Sequence, residues 1–149
     1  MKIVKARKKD FSEIQEMIES EFPYTKKTLE KTEARIKNKN LIFTAINGIK
    51  LLGFVEFKLN KEKAGFFGMA VKQKFRCKGI GKKLFRFFLD YCRKKQIKKI
   101  SLIVKKDNLL AKKIYFSEGF FKVKELKKTI DGSIVEEMQL NLEEFKGTA

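Results

Sequence analysis

The sequence contains no histidine and only two cysteines, Cys77 and Cys92, among its 149 residues. Without histidine, Ser-His and Cys-His nucleophilic catalysis are excluded, and no Gly-x-Ser-x-Gly elbow occurs. The two cysteines are not spaced as a metal or redox pair, so a zinc site would lack ligands and we expect no metal. Any chemistry must therefore run on carboxylates, tyrosine, lysine or backbone dipoles.

Long uncharged apolar runs are also absent, so we expect no transmembrane span and no membrane partner. Met1 leads directly into a lysine-rich alternating stretch rather than a signal peptide, which favours a cytoplasmic protein. The length suits one domain over residues 1–149, and a hydrophobic fraction of 43% with 15 Phe indicates a globular chain.

The net charge of +18 has two interpretations. It is compatible with a surface for nucleic acid or the ribosome, and also with the solvated face of a protein from a lysine-rich proteome. Lysines are spread through nearly every segment, which favours the second interpretation. In either case the surface should attract an anionic ligand and disfavour a polycationic substrate.

Hydrophobic periodicity and turn signals predict the element order β-α-α-β-β-β-α-β-α-β-β. This order gives an α/β fold with a mixed, mostly antiparallel sheet and helices on both faces. The predicted strands cover residues 2–7, 41–46, 49–59, 64–71, 99–104, 121–130 and 133–142. The predicted helices run from Phe11 to Pro23, from Thr25 to the Asn38-Lys39-Asn40 stop, from Ile80 to about Lys95, and from Asp107 or Asn108 to Gly119.

Local signals define the ends of these elements. Asp10 to Glu13 has capping-box spacing. Asn47-Gly48 and Asp131-Gly132 predict hairpins with primed turns. The apolar face of the third helix is predicted to comprise Ile80, Leu84, Phe87, Phe88, Tyr91 and Cys92.

A glycine-punctuated turn, residues 76–82, connects the strand that ends at Val71 to the third helix. Backbone N–H groups at a helix N-terminus lack intrahelical partners, and the helix dipole adds roughly +0.5 charge there, so a pyrophosphate is a natural occupant. Gly79 and Gly81 would let the backbone approach such a ligand closely. Glycines before a helix are also common as plain turn residues, so this motif alone does not decide between an anion-binding turn and an ordinary one.

A second motif, Asn108-x-x-Ala111-x-x-x-Tyr115-x-x-x-Gly119-Phe120, follows the next strand. Together with Arg-x-x-Gly-x-Gly after Met69-Ala70-Val71, it resembles the motifs of the GCN5-related N-acetyltransferase (GNAT) superfamily. The likeness is to its compact single-domain type, such as the ribosomal-protein alanine acetyltransferases. The resemblance implies transfer of an acetyl group from acetyl-CoA to a primary amine by direct attack, without an acyl-enzyme.

The resemblance also implies how the cofactor is held. Strands ending at Val71 and Val104 would splay apart around the pantetheine arm, which would bond to the backbone of Met69 and Val71 and to Asn108. The Met69 N–H would stabilise the oxyanion, and the Tyr115 hydroxyl would protonate the departing thiolate, unless Tyr115 is simply a core tyrosine. The expected pyrophosphate contacts are Arg76, Cys77, Lys78, Gly79, Ile80, Gly81 and Lys82.

The sequence assigns neither the general base nor the acceptor substrate. Many family members carry a glutamate four residues before the position of Met69, where this chain has Gly65. Glu56 would act through a water or be solvated or ion-paired. The acceptor is expected to be a protein α-amino group or a small amine, whereas a polyamine is disfavoured by the +18 charge. A basic RNA- or ribosome-binding module with the same fold is the alternative, and the resemblance leaves a homodimer through the last hairpin open.

Overall fold

The protein, in a computed structural model, is described for residues 1–21, 32–130 and 132–142. The seven strands are β1 (Lys2–Lys5), β2 (Leu41–Asn47), β3 (Lys50–Asn60), β4 (Lys63–Val71), β5 (Lys99–Lys105), β6 (Phe121–Ile130) and β7 (Ser133–Asn141). The helices are α1 (Phe11–Glu21), α2 (Thr32–Lys37), α3 (Ile80–Lys94) and α4 (Leu109–Ser117). This is the predicted order.

The strands form one sheet in the order β1-β2-β3-β4-β5-β7-β6. The β1–β2, β2–β3, β5–β7 and β6–β7 pairs are antiparallel, and the β4–β5 pair is parallel. The helical crossover through α3 accounts for that parallel pair. The prediction of a mixed, mostly antiparallel sheet is confirmed.

Several predicted ends need correction. β1 ends at Lys5 rather than at residue 7. The β2–β3 turn is centred on Gly48 and Ile49, because Asn47 pairs with Lys50 and only Gly48 takes a positive φ, of 62°. The Asp10 carboxylate accepts from the Arg7 N–H at 3.0 Å and from its guanidinium, so it caps the preceding 3-10 turn. The predicted features at Phe22, Pro23, Thr25 and Asp131 lie outside the described residues.

The chain divides into two compact units, Met1–Lys58 with Gly68–Tyr91, and Leu59–Phe67 with Cys92–Ala149. The single domain expected from the length stays a prediction. In the described part of the chain, no helix is long and apolar enough to span a membrane.

In the first unit, helices cover the sheet on both faces. Successive strand residues point to opposite faces, so Ile42 and Phe54 share one face, while Phe43 and Phe57 share the other. The first pair joins the buried cluster built around Ile14, Met17 and Ile18 of α1. On the opposite face, the Phe57 ring lies 4.8 Å from that of Phe88 in α3.

The buried stripe of α3 differs from the predicted face. Phe85 and Leu89 are buried, whereas Phe87 and Tyr91 are only half-buried. Those two rings lie at the edge of the stripe, where both pack against Phe43 in tilted orientations, with ring centroids 4.7 and 5.4 Å from that of Phe43. The buried side chains of α3 are Ile80, Leu84, Phe85, Phe88, Leu89 and Cys92.

In the second unit, β5 lies between β4 and β7. Ile100, Leu102 and Val104 alternate with more exposed residues and are buried, as expected for a sheet with one covered face. α4 follows β5 and ends at Gly119, whose φ is 98°. The Phe120 N–H donates to the Tyr115 carbonyl at 3.0 Å, which closes the helix in a Schellman arrangement.

Candidate active site

The turn between β4 and α3 has the backbone geometry expected of an anion-binding loop. A 3-10 turn, Gln73–Phe75, follows the end of β4, and α3 begins at Ile80. Between them, Cys77 and Gly79 take positive φ values of 64° and 80°. A non-glycine residue in this region costs about 1 kcal/mol, so Cys77 is held there by the surrounding turn.

Six consecutive backbone amides of this turn lack partners. From Cys77 to Lys82, no N–H donates to an acceptor within the described residues, and the first amide of the region with a partner is Lys83, which donates to the Gly79 carbonyl at 3.1 Å. These groups include the orphan donors that every α-helix has at its N-terminus. They form a run of donors that an anion can satisfy.

The glycines leave the space over these amides open. A Cβ at Gly79 would meet nothing within 4 Å, and a Cβ at Gly81 would meet only the Val71 Cγ2 atom, at 3.9 Å. The packing of the described residues therefore does not require glycine at position 81. The missing side chain keeps the helix N-terminus accessible, which suits a pyrophosphate.

The basic side chains of the turn fall into two groups. Lys78 and Lys82 are exposed and have no ion pair within the described residues. Arg76 is engaged, since its Nε donates to the Val71 carbonyl at 2.9 Å and its guanidinium pairs with Glu21 of α1. Lys72 pairs with Glu13 of the same helix. Burial, and secondarily the charge of Lys74, lowers the pKa of Lys72.

The end of β4 that contains Met69 and Val71 is fixed by two glycines. Gly68 takes a φ of 153°, which departs from a regular strand immediately before Met69. A Cβ at Gly53 of β3 would lie 2.5 Å from the Ala70 carbonyl oxygen. Only glycine therefore fits where β3 approaches this part of β4.

In the second unit, the parallel pairing of β4 and β5 is short. It runs from Lys63 and Lys99 to Phe66 and Leu102. β5 continues to Lys105 and β4 to Val71. The pairing thus ends before either strand does.

Asn108 and Tyr115 lie at the two ends of α4. Asn108 is the N-cap, with its Oδ1 accepting from the Ala111 N–H at 3.2 Å, so its Nδ2 remains as a donor. Tyr115 is buried, and its ring centroid lies 6.1 Å from that of Phe66 and 5.9 Å from that of Phe120. These two rings pack against the tyrosine ring and hold it in place.

The sequence model of the Acetyltransferase (GNAT) family matches residues 10–120, about three quarters of the chain. The chain belongs to the GNAT acetyltransferase family. A comparison with curated proteins finds no match.

Solved structures share the fold of this GNAT chain. The ribosomal-protein-S18-alanine N-acetyltransferase from Escherichia coli has a TM-score of 0.81 and 22% identity, over 95% of this chain and 93% of that one. A spermidine N-acetyltransferase chimera from Vibrio cholerae and hSSAT has a TM-score of 0.81 and 21% identity, over 98% and 99%. Arabidopsis thaliana NAA60 in complex with acetyl-CoA has a TM-score of 0.80 and 15% identity, over 95% and 98%.

Glu56, the carboxylate considered as a base, is buried in a hydrogen-bond network of this GNAT protein. Arg35 of α2 binds both its oxygens, at 2.9 and 3.2 Å, and the Asn40 side chain donates to it at 2.7 Å. Gln15 of α1 and Thr32 complete the network around the Arg35 guanidinium. The ion-paired interpretation of Glu56 is therefore confirmed, and both of its carboxylate oxygens already accept hydrogen bonds from neighbouring side chains.

The sequence did not single out Gly53, Gly68 or Glu21, although all three shape the GNAT turn and its strand. An isolated glycine within a strand pattern signals a bulge or a close backbone approach, so Gly53 and Gly68 were detectable in principle. Glu21 was not, because its pairing with Arg76 spans 55 residues. Among the described residues, no group of three or more His, Cys, Asp or Glu side chains could hold a metal ion.

Proposed function

We propose that this GNAT protein transfers an acetyl group from acetyl-CoA to a primary amine. The observation that carries the proposal is the run of unpartnered amides from Cys77 to Lys82, with open space at Gly81. The pyrophosphate of CoA offers several acceptor oxygens and negative charge, which match donors at a helix N-terminus. Lys78 and Lys82 would add mobile positive charge around it.

The strand and α4 would hold the rest of the donor. In the first unit, the backbone of Met69 and Val71 would bond to the pantetheine amides, and the Met69 N–H would point at the thioester carbonyl. In the second unit, the free Nδ2 of Asn108 would donate to the pantetheine. These residues would keep the thioester in one orientation for attack.

The reaction would proceed by direct attack. The amine nitrogen forms a bond to the carbonyl carbon, the oxyanion is stabilised by the Met69 N–H, and the C–S bond then breaks. An acceptor that arrives as an ammonium ion loses one proton to water before attack and a second as the amide forms. The departing thiolate takes the proton of the Tyr115 hydroxyl, which water then replaces. Proton transfer from a positioned acid typically contributes about 100- to 10,000-fold in rate.

The acceptor is proposed to be a protein N-terminal α-amino group or a small amine. α1 supplies local negative charge in a basic chain, with four glutamates and no lysine or arginine. Glu16 and Glu21 line a surface hollow of about 230 Å³ that also borders Val71. Lys72 lines the same hollow and Glu21 is paired with Arg76, so Glu16, which has no ion pair within the described residues, is the carboxylate that supports an acceptor arriving as an ammonium ion.

Calorimetric titration with acetyl-CoA and with CoA, at two salt concentrations, tests the donor site. We expect a Kd in the roughly micromolar range, which Gly81→Glu abolishes and Gly81→Ala leaves nearly unchanged. Glutamate in the first turn of a helix is favourable for folding, so loss of binding in Gly81→Glu cannot be attributed to unfolding. No binding at either salt would overturn the proposal, and titration with RNA would then test the basic surface.

A thiol-release screen of peptide N-termini and small amines tests the chemistry, with Tyr115→Phe as the variant. The substitution keeps the ring between Phe66 and Phe120 and removes only the hydroxyl. We expect kcat to fall by about 100-fold or more with little change in acetyl-CoA affinity. An unchanged kcat would exclude Tyr115 as the acid.

A further inference from the structure

The second unit contains a buried carboxylate that the proposed reaction does not use. Glu136 of β7 is only 2% exposed and lies opposite Val104 of β5. Its Oε1 lies 2.6 Å from the Lys112 Nζ, and its Oε2 lies 3.2 Å from the Lys122 Nζ. A buried charge is tolerated only when it is paired, so these contacts are needed for the carboxylate to stay ionised.

Lys112 connects this carboxylate to α4. It lies on α4 between Asn108 and Tyr115, and its side chain is only 15% exposed. Its Nζ also donates to the Lys106 carbonyl, directly after β5, at 3.3 Å. The Lys112 side chain therefore connects α4 both to β7 and to the end of β5.

Glu136 is not a candidate for the missing base. The Lys112 ammonium, and to a lesser extent that of Lys122, lowers the pKa of its carboxyl in spite of burial. Both oxygens also face a lysine. The carboxylate is thus an anion at neutral pH with a structural partner on α4.

We propose that Glu136 is a positioning residue, which holds Lys112 and thereby fixes α4 so that Asn108 and Tyr115 keep their orientation. This inference rests on the proposed function, because the orientation of Asn108 and Tyr115 affects catalysis only if both residues act in acetyl transfer.

Two variants and two matched controls test it. Glu136→Gln removes the charge on β7, and Lys112→Met removes the ammonium on α4 while Glu136 keeps Lys122. Glu137→Gln makes the same change one residue along β7, where, within the described residues, the carboxylate accepts only from Gln139, at 2.9 Å. Lys113→Met makes the same change on the exposed side of α4. If Glu136→Gln fails to fold, the measurements on Lys112→Met decide whether the positioning role stands.

The first readout is hydrogen exchange without ligand. We expect the α4 amides to exchange about tenfold faster or more in both test variants, with α1 unchanged, because removing one member of a buried ion pair destabilises the helix that the pair anchors.

The second readout is cofactor binding and catalysis. We expect the acetyl-CoA Kd to rise about three- to tenfold and kcat on a peptide beginning with alanine to fall about tenfold. The double variant should be no worse than the worse single one.

The outcomes separate the two claims. Faster α4 exchange with unchanged Kd and kcat would show a merely structural contact and would overturn the positioning role. Test variants that match their controls in exchange would overturn it as well. A wild-type protein that binds no acetyl-CoA would overturn the proposed function, and the positioning role would fall with it.

Discussion

Arg76 and Glu21 form an ion pair that joins the turn before α3 to the last residue of α1. The same guanidinium donates to the Val71 carbonyl at 2.9 Å. The residue expected to bind pyrophosphate is therefore already occupied by a carboxylate. A bound pyrophosphate and Glu21 would compete for it.

We predict that Glu21→Gln strengthens acetyl-CoA binding about two- to fivefold, because an exposed ion pair is worth only about 0.2–1 kcal/mol and its loss frees Arg76. Calorimetry in low salt measures the change. Glu16→Gln, which makes the same change on α1 at a carboxylate with no ion pair in the described residues, is the control. Equal affinity in the two variants would mean that Arg76 does not contact the cofactor.

We predict that Asn108→Asp separates the two functions of the Asn108 side chain. The aspartate keeps the oxygen that caps α4, so the melting temperature should stay unchanged. Asn108→Ala removes that oxygen and should lower the free energy of unfolding by about 1 kcal/mol. The aspartate lacks the Nδ2 donor, so its acetyl-CoA Kd should rise as much as that of Asn108→Ala. Thermal melts and calorimetry on both variants check this. A normal Kd in Asn108→Asp would confine the residue to capping.

We predict that Gly53→Ala destabilises the protein by about 2 kcal/mol or more, because its Cβ would lie 2.5 Å from a backbone oxygen that cannot move aside. Urea denaturation measures the loss. Gly81→Ala is the matched control and should be neutral or slightly stabilising, since its Cβ meets only one methyl group at 3.9 Å. Equal stability of the two variants would contradict the close approach of β3 to β4.

We predict that one thiol per chain reacts quickly with a maleimide at neutral pH. Cys77 is exposed, whereas Cys92 is buried, and burial raises the pKa of its thiol to about 12 against a smaller opposing effect of Arg93. The thiolate is the reactive form, so Cys92 stays inert. Mass spectrometry counts the labels, acetyl-CoA should protect Cys77, and Cys77→Ala should show no fast labelling. Two fast thiols would contradict the packing of α3.

We predict that Glu136 makes the stability depend on pH in the acid range. The pKa of its carboxyl is lower in the folded chain than the usual 4.5, so the folded state binds fewer protons there than the unfolded state. Its contribution is present above the usual value and is lost as the pH falls through the folded pKa. Between about pH 5 and pH 3, wild type should lose more stability than Glu136→Gln. Urea denaturation at each pH measures the free energy of unfolding. An equal loss in wild type and Glu136→Gln would contradict the pairing of Glu136 with the two lysines.

The contiguous features of the fold followed from the sequence. The α3 turn and α4 are set by the residues within each segment, so spacing and turn chemistry sufficed to predict them, and the structure decides between the two N-cap candidates, Asp107 and Asn108, in favour of Asn108. Among the strands, the predicted β6 has the observed bounds.

Long-range partners could not be predicted in this way. Arg35 meets Glu56 across 21 residues, and Arg76 meets Glu21 across 55. Which carboxylate meets which cation depends on how helices pack on the sheet, and a chain with 36 basic and 18 acidic residues offers many equivalent choices. The same applies to Glu136, whose burial depends on the register between β5 and β7.

The unpartnered amides from Cys77 to Lys82 also bear on the choice of buffer. Donors of this kind take any tetrahedral oxyanion, so inorganic phosphate or sulfate would compete for them with acetyl-CoA bound as proposed. The apparent Kd for acetyl-CoA then rises in proportion to the concentration of the competing ion. Titrations in phosphate buffer, or after purification with ammonium sulfate, would therefore understate the affinity, and the intrinsic value has to be measured in a chloride-based amine buffer.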